Sequence, residues 1–220
     1  MNRLHVDSVT KSFGQRKILQ DVYLNCETGK ISALFGSSGS GKSTLMEIIF
    51  GTVKGDTQFI KFNDSILKNQ SDRKNRIAYL PQRSSFLPKE YKIRKLIPLF
   101  CTKENTELLC GLKMIQPFLD KTTRKLSGGE KRIVETLIII YCDSAFILLD
   151  EPFSGVSPKA VEELKLIIKS QSKNKGIIIS DHNYSVILDM ADDIYLLSET
   201  YLRKVKDVKE LQQFKYLPKS

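Results

Sequence analysis

The amino-acid sequence predicts an α/β fold in which a mostly parallel sheet is flanked by helices. Three short, continuous apolar runs favour this fold, since strands buried on both faces of a sheet have this character; they are Ile31–Phe35, Ala145–Leu149 and Gly176–Ser180. A helix-like segment, Leu45–Phe50, follows the first run, and Ser157-Pro158 after the second run is typical of a helix start. Strands that alternate with helices in this way indicate a parallel sheet.

The composition is that of an ordinary globular chain. Of its 220 residues, 41% are hydrophobic and 27% are charged, which suffices for one domain with a sizeable core. Apolar runs such as Leu137–Cys142 are far shorter than the ~18 residues of a membrane span, and the first residues lack the apolar segment of a signal peptide. We therefore expect a cytoplasmic protein unless a partner holds it elsewhere.

Charge and cysteine content indicate no special chemistry. The formal net charge of +10 fits a nucleic-acid partner or an anionic membrane surface, but the basic residues are dispersed along the chain. A basic surface that keeps the protein in solution is therefore the simplest interpretation. The four cysteines form no C-x-x-C pair, which predicts reduced thiols rather than a metal site.

The N-terminal segment predicts an antiparallel β-subdomain ahead of the main sheet. Leu4–Val9 alternates apolar and polar residues, Lys11–Gly14 has the composition of a turn, and Ile18–Cys26 is a second extended segment. Phe13 lies in the predicted turn, where an exposed ring could stack on adenine. It could equally pack into its own sheet, and the sequence favours neither interpretation.

The middle of the chain predicts a helical insertion. Strands are expected at Thr57–Phe62 and Arg76–Leu80, after which prolines and helix-like apolar spacing characterise Ser84–Asp120. We predict one domain over residues 1–220, with a core of residues 1–82 and 126–220 and a short helical subdomain at residues 83–125. The last predicted elements are two strands and a closing helix, at Ile194–Leu197, Tyr201–Val205 and Lys206–Phe214.

The segment after the first apolar run fits the phosphate-binding loop pattern G-x-x-x-x-G-K-[ST]. Its strand–loop–helix context suits this chemistry, because glycines let backbone N–H groups converge on phosphate oxygens and a helix start adds further donors. Lys42 is expected to reach the β- and γ-phosphates, and Ser43 to place a hydroxyl on Mg²⁺. The predicted nucleotide-binding residues are Gly36, Ser37, Ser38, Gly39, Ser40, Gly41, Lys42, Ser43 and Thr44.

A second anion-binding element is predicted before the helix at Lys131–Tyr141. Ser127 and Glu130 have the spacing of a capping box, which alone would explain both residues. Capping does not explain Gly128 and Gly129, since each glycine weakens a helix by roughly 1 kcal/mol. Bare backbone at a helix start suits an anion, so these glycines predict a second phosphate contact.

Polar side chains follow three of the predicted strands, at the edge where ligands of α/β sheets collect. Asp150 and Glu151 are adjacent, a pair in which one acid can hold Mg²⁺ while the other polarises a water. Gln82 could coordinate Mg²⁺ or orient a water, although a glutamine in such a loop is more often solvated. His182 is a candidate to contact the γ-phosphate.

Together, these motifs resemble the ATP-binding cassette (ABC) ATPases over nearly the whole chain. Their order is an aromatic loop, Walker A, a glutamine loop, an LSGGE signature, Walker B with a following glutamate, a turn and a histidine loop. Walker A is shared by many nucleotidases, whereas LSGGE shortly before an apolar-Asp-Glu strand is specific to this family. The resemblance implies a P-loop NTPase core with an N-terminal antiparallel β-subdomain and a short inserted helical subdomain.

The resemblance also implies site roles, with ATP and Mg²⁺ as cofactors. Phe13 matches the aromatic residue that stacks on adenine, while Ser127, Gly128 and Gly129 match the signature that closes over the γ-phosphate of the opposite subunit. The residues implied to contact Mg²⁺ are Ser43, Gln82 and Asp150, and those implied in hydrolysis are the base Glu151, the switch histidine His182 and the water-sensing Gln82.

In this family, two cassettes dimerise head to tail, so that each signature completes the other subunit's site. The implied partners are a second ABC ATPase subunit, expected as a homodimer, and membrane-spanning permease subunits on separate chains, with no specific nucleic acid. The implied location is the cytoplasmic face of the membrane. Two features depart from the family: Ser157 replaces the usual aspartate of the turn after Walker B, and the segment from Gln82 to Leu126 is short.

These observations favour an energy-coupling subunit of a membrane transporter. The motif wording is most similar to lipopolysaccharide-export ATPases and branched-chain amino-acid importer ATPases of the family. The alternative is a soluble ABC ATPase that acts on nucleic acid, ribosomes or cofactor assembly, for which the net charge is the main support. A non-hydrolysing regulatory cassette is disfavoured because Lys42, Asp150, Glu151 and His182 are all present.

Overall fold

The computed structural model describes residues 1–83, 85–206 and 210–211. Within these residues, the strands form two sheets. The strands are β1 (Arg3–Phe13), β2 (Arg16–Glu27), β3 (Ile31–Phe35), β4 (Thr57–Phe62), β5 (Ser65–Ile66), β6 (Ile77–Leu80), β7 (Phe146–Asp150), β8 (Gly176–Ser180), β9 (Asp193–Ser198) and β10 (Tyr201–Val205).

The larger sheet has the strand order β10-β9-β3-β8-β7-β6. All neighbouring strands in it are parallel except β10, which pairs antiparallel with β9. Strands β3, β6, β7 and β8 are buried along their whole length, which explains why their sequences are continuously apolar instead of alternating. The predicted α/β fold with a mostly parallel sheet is therefore confirmed.

The smaller sheet is antiparallel, with the order β2-β1-β4-β5. The predicted turn at Lys11–Gly14 is wrong in its extent, because β1 continues to Phe13, which pairs with Arg16. The reversal is confined to two residues, and Gly14 adopts a left-handed φ of +58° there, which glycine tolerates at no steric cost. Pairing with β2 thus keeps Lys11, Ser12 and Phe13 extended despite their turn-like composition.

The α-helices cover both faces of the larger sheet. They are α1 (Lys42–Phe50), α2 (Gln70–Arg73), α3 (Ile93–Leu96), α4 (Lys103–Gly111), α5 (Gly128–Tyr141), α6 (Pro158–Ser172) and α7 (Tyr184–Leu188). Short 3-10 helices occur at Ile97–Leu99, Gln116–Phe118 and Thr123–Lys125. The predicted closing helix at Lys206–Phe214 lies largely outside the described residues. Among the described helices, none is long and apolar enough to cross a membrane.

The core has two parts, one on each face of the larger sheet. On one face, α1 and the smaller sheet pack against side chains such as Leu34 and Leu148. On the other face, α5 and α6 pack against the alternate positions, such as Ala33 and Leu149. The segment between β6 and α5 contributes apolar side chains to this second part, including Ile93. The segment therefore packs onto α5 and shares the main core.

The topology brings four loops to one edge of the sheet. Strands β3, β8, β7 and β6 are neighbours and parallel, so their carboxyl ends lie side by side. The loops that follow them contain the phosphate loop, His182, Glu151 and Gln82, respectively. Residues far apart in the sequence are therefore neighbours at this edge, as expected for ligand sites in open α/β sheets.

Candidate active site

A polar cavity of about 260 Å³ lies at this edge of the sheet. Residues from the phosphate loop, the start of β2 and the loops after β6, β7 and β8 line it: Arg16, Ile18, Ser38, Gly39, Gly41, Lys42, Ser43, Thr44, Gln82, Arg83, Asp150, Glu151 and His182. The structure thus brings six of the nine phosphate-loop residues and all three residues predicted for hydrolysis into one place.

The phosphate loop presents bare backbone to this cavity. Gly39 and Gly41 have left-handed φ values of +76° and +109°, which only glycine adopts without strain. Gly41 also packs closely, because a Cβ there would lie 2.7 Å from Cγ2 of Ile18. Helix α1 starts at Lys42, and within the described residues no side chain caps it. Its first N–H groups are therefore available to an anion.

Lys42 is held by the loop itself. Its Nζ donates hydrogen bonds to the carbonyl oxygens of Gly36 at 2.6 Å and Ser37 at 3.0 Å. Burial lowers the pKa of Lys42, and the carboxylates of Asp150 and Glu151 oppose that shift. The ammonium group thus already lies in the cavity, between the loop and the two acids, where it can meet phosphate oxygens.

Asp150 offers a buried carboxylate at the end of β7. Its side chain accepts hydrogen bonds from Oγ of Ser180 at 2.8 Å and from the hydroxyl of Tyr79 at 3.4 Å. Burial, with the nearby Asp150 carboxylate, raises the pKa of Tyr79, which keeps its hydroxyl protonated as a donor. These bonds fix the orientation of the carboxylate toward the cavity that Ser43 and Gln82 also line.

These oxygen donors fit Mg²⁺. A hydroxyl, a carboxylate and an amide line one cavity beside the phosphate loop, and magnesium in such sites takes one or two protein oxygens together with phosphate oxygens. A cluster of three or more His, Cys, Asp or Glu side chains suited to a metal does not occur in the part of the chain that the structure describes. The donor set therefore suits a metal that arrives with a phosphate ligand.

Glu151 has an unusual backbone and close polar neighbours. Its φ is +57°, a left-handed value that is uncommon for a residue other than glycine. Its Oε1 accepts a hydrogen bond from Nε2 of Gln82 at 2.5 Å and lies 3.0 Å from Nε2 of His182. The structure thus assembles the three residues that the sequence analysis assigned to hydrolysis, with Glu151 between the other two.

Phe13 lies at the end of β1, outside the residues that line the phosphate cavity. Phe13 is 54% exposed, and Nζ of Lys11 lies 5.1 Å from its ring centroid. The ring therefore does not pack into its own sheet, which was one of the two interpretations of the sequence. Its stacking on adenine stays a prediction.

The two signature glycines line a different cavity, of about 340 Å³. Ser127 and Glu130 form the predicted capping box: Oγ of Ser127 accepts the Glu130 N–H at 3.2 Å, and Oε2 of Glu130 accepts the Ser127 N–H at 2.7 Å. Gly128 and Gly129 line this second cavity, whose described lining shares only Gln82 and Arg83 with the first. The two predicted phosphate-binding elements are therefore not brought together within one chain.

The two signature glycines have different surroundings. A Cβ on Gly129 would lie 2.2 Å from the carbonyl oxygen of Gly155, whereas a Cβ on Gly128 would meet nothing within 4 Å. The fold itself therefore requires glycine at position 129, because helix α5 starts against the turn after Glu151. Packing within the described chain gives no such reason for Gly128.

Several polar residues of the site were missed by the sequence analysis. Arg16 lines the phosphate cavity and Arg83 lines both cavities. Each is a basic residue close to a recognised motif, and this proximity could have indicated that it belongs to the site. Asp181 accepts the N–H groups of Phe153 and Asn183, both at 2.9 Å, and so connects the turn after Glu151 with the histidine loop. Arg132 is buried beside the strand ends.

Residues 19–154 match the family model for ABC transporter ATP-binding domains, described as ABC transporter. This match covers more than half of the chain. The chain belongs to the ABC transporter family. Its similarity to curated relatives extends further: it is 32% identical to the lipopolysaccharide export system ATP-binding protein LptB of Haemophilus influenzae, over 90% of this chain and 87% of that protein. Its identity to LptB of Escherichia coli is 31%, over 92% and 89% of the two chains.

Solved structures show the same fold for this ABC cassette. A structure described as the ATP-binding subunit of an ABC transporter superposes with a TM-score of 0.84 at 23% identity, over 99% of this chain and 95% of the other. A nucleotide-free ATP-binding cassette from an ABC transporter gives 0.80 at 22% identity, over 99% and 96%. The predicted fold class, including the antiparallel β-subdomain, is confirmed.

Family membership settles the general activity. This ABC cassette is the ATP-binding and ATP-hydrolysing subunit of a membrane transporter. The similar curated proteins are transporter subunits, which favours this function over the soluble alternative that acts on nucleic acid, ribosomes or cofactor assembly. The resemblance to LptB proteins predicted from the motif wording is also confirmed.

Proposed function

We propose that the chain binds Mg²⁺ and ATP between two copies of itself arranged head to tail. The observation that supports this most strongly is the separation of the two glycine-rich elements into two cavities. A single chain can surround a nucleotide from the phosphate-loop side only. In a head-to-tail dimer, the signature of one copy faces the phosphate loop of the other, and ATP joins the two subunits.

On the phosphate-loop side, the backbone of residues 36–41 and the start of α1 hold the phosphates, while Lys42 exchanges its bonds to loop carbonyls for bonds to phosphate oxygens. This exchange needs no long movement, because Nζ already lies within the loop. The exposed ring of Phe13 stacks on the base. Ser127, Gly128 and Gly129 complete the site from the other subunit, with the exposed start of α5 toward the γ-phosphate.

Ser43, Gln82 and Asp150 would hold Mg²⁺, which would supply positive charge to offset the charge of the phosphates. Glu151 polarises the attacking water as the general base. Gln82 and His182 contact its carboxylate. They therefore orient the Glu151 side chain, and a change in its position alters both contacts. His182 is 64% exposed, which leaves its ring accessible to a γ-phosphate that approaches from solvent.

The transporter partner is a permease on separate chains, and a groove on the surface suits its docking. The groove has a volume of about 830 Å³ and lies between the core and the predicted helical subdomain at residues 83–125. Phe86, Leu99 and Phe100 line it, and Leu99 is 71% exposed. Pro81, next to Gln82, lines the groove as well. A permease segment bound there lies beside the glutamine loop, at the cytoplasmic face of the membrane.

The Glu151→Gln variant tests this proposal. The amide keeps the shape of the side chain but cannot accept a proton, so we expect kcat to fall by about 10²–10⁴-fold while ATP binding persists. Because ATP is not consumed, the variant accumulates as a dimer, which light scattering detects on addition of ATP.

The same variant without nucleotide is the control and stays monomeric. Hydrolysis at the wild-type rate would exclude Glu151 as the base. Bound ATP without dimer formation, at protein concentrations up to those of the hydrolysis assay, would contradict the head-to-tail arrangement.

A further inference from the structure

Arg132 connects the signature helix to the two strand ends that carry hydrolytic residues. It lies in the first turns of α5, beyond the signature glycines, and is 7% exposed. Its Nε donates to the carbonyl oxygen of Glu151 at 2.9 Å, Nη1 to that of Pro81 at 2.8 Å, and Nη2 to that of Asp150. We call these three acceptors the carbonyl cluster (carbonyl oxygens of Pro81, Asp150 and Glu151).

Two members of the carbonyl cluster flank the Cα atom of Glu151. The Asp150 carbonyl belongs to the peptide unit before it and the Glu151 carbonyl to the unit after it, and the Glu151 N–H is also bonded, to the Ser180 carbonyl at 2.7 Å. Glu151 adopts a φ of +57°, and such a conformation persists in a residue other than glycine only when its surroundings enforce it. Arg132 supplies two of the bonds that enforce it.

The third member of the carbonyl cluster lies on another strand end. Pro81 directly precedes Gln82, whose amide donates to the Glu151 carboxylate. Arg132 therefore fixes the backbone at both ends of this side-chain contact. A guanidinium group suits this task, because its five N–H donors lie in one rigid plane.

Arg132 also has an electrostatic partner on its own helix. Oε2 of Glu135, one turn further along α5, lies 3.8 Å from its Nη1, and both side chains are buried. Burial lowers the pKa of Arg132, while Glu135 and then Asp150 oppose the shift. Glu135 thus faces the guanidinium within α5, although burial raises the pKa of its own carboxyl, while the N–H donors of Arg132 are directed to neutral carbonyls.

A second buried arginine, which lines the proposed docking groove and not the phosphate cavity, serves as a comparison. Arg73 is 2% exposed, and it donates to the carbonyl oxygens of Ile49 at 2.8 Å and Asn69 at 2.6 Å. Both acceptors lie at helix ends, away from the residues that line the phosphate cavity. Both arginines are buried and donate to backbone carbonyl oxygens. The acceptors of Arg73 lie at helix ends, whereas those of Arg132 belong to Glu151 and to the residues that precede Glu151 and Gln82.

We propose that Arg132 is a positioning residue for ATP hydrolysis. It holds the backbone of Glu151 and the start of the glutamine loop in register with α5. Because Ser127, Gly128 and Gly129 form the start of the same helix, a nucleotide of the opposite subunit that engages the signature also sets the position of this subunit's own Glu151. This coupling rests on the proposed head-to-tail dimer. It provides a link between the two sites in a chain that has Ser157 where the family usually has aspartate.

The test compares Arg132→Met and Arg132→Lys with Arg73→Met as the matched control. Each variant is assayed for kcat, for the KM of ATP and for thermal stability. We expect both Arg132 variants to lose about 10–10²-fold in kcat with the KM changed less than about two-fold. Lysine does not restore the rate, because one ammonium nitrogen does not reproduce the planar fork. Arg73→Met loses stability but keeps its kcat within about two-fold.

Two results would overturn the proposal. One is a kcat of Arg132→Lys within about two-fold of the wild type. Because Arg132→Lys keeps a positive charge opposite Glu135, it still tests the proposal if Arg132→Met fails to fold. The other is an equal loss of kcat in Arg73→Met. The dimer test with Glu151→Gln is independent of Arg132, so failure of the positioning role and failure of the dimer are distinguishable.

Discussion

The phosphate loop and the signature are both glycine-rich helix starts, yet in the described chain only the signature helix is capped by side chains. At the start of α1, Gly41 leaves the first N–H groups without a side-chain cap among the described residues, and Lys42 lies beside them. At the start of α5, Ser127 and Glu130 cap the helix with their own side chains. The start of α1 thus leaves backbone donors and a lysine available to phosphate, whereas the start of α5 is already capped by its own side chains.

The acids separate the two regions further. The phosphate loop shares its cavity with Asp150 and Glu151, whereas the signature cavity contains neither acid among its described lining residues. In the proposed mechanism, hydrolysis therefore takes place on the phosphate-loop side. In the proposed dimer, these two similar motifs supply the two halves of one site: the phosphate loop carries the hydrolytic chemistry and the signature closes over the nucleotide.

The largest effect expected from breaking this comparison comes from Lys42→Ala. Lys42 supplies the positive charge nearest the loop carbonyls, and removing one such preorganised contact costs about 10²–10³-fold in rate. Steady-state ATPase kinetics measure the loss in kcat/KM. A variant that kept the wild-type kcat/KM would show that the ammonium does not contact the phosphates.

A sharper comparison uses the two signature glycines. Gly128→Ala meets no atom within 4 Å in the chain, and alanine is favoured over glycine in a helix by up to about 1 kcal/mol, so stability is unchanged or higher. If the other subunit's nucleotide packs against Gly128, the added methyl overpacks the closed dimer by about 1–3 kcal/mol, and kcat falls by about ten-fold.

Gly129→Ala is the matched control, because we expect it to change stability instead of the contact between subunits. Its Cβ would lie 2.2 Å from the Gly155 carbonyl oxygen, so we expect a loss of about 1–3 kcal/mol in the free energy of unfolding, measured by urea denaturation. A wild-type rate in Gly128→Ala would mean that nothing approaches this position during turnover.

The sequence predicted the sheet and the phosphate side well, because both depend on local patterns. The buried strands are continuous apolar runs, and the motifs that follow β3, β6, β7 and β8 fix the residues of the phosphate cavity. The capping box of Ser127 and Glu130 was also evident from spacing alone. Each of these signals lies within a few residues of the chain.

The features that could not be predicted depend on contacts between distant segments. Strand β1 extends to Phe13 because β2 pairs with it, which overrides the turn-like residues at Lys11–Gly14. Glu151 has a left-handed backbone conformation. Its hydrogen bond with Arg132 joins the loop after β7 to helix α5, about 20 residues earlier in the chain. Arg132 is one of several charged residues in the first turns of α5, so its position in the sequence did not distinguish it.

Mixing two inactive variants tests the shared site most directly. Lys42→Ala removes the loop lysine, and Gly128→Asp places a negative charge where the signature meets phosphate, at an uncrowded position that favours an acid at a helix start. In a mixed dimer, one site combines the intact loop of one chain with the intact signature of the other. The account predicts that the mixture recovers up to about one quarter of the wild-type ATPase rate, since half of the dimers are mixed and each has one complete site. An activity no greater than the sum of the two separate variants would contradict it.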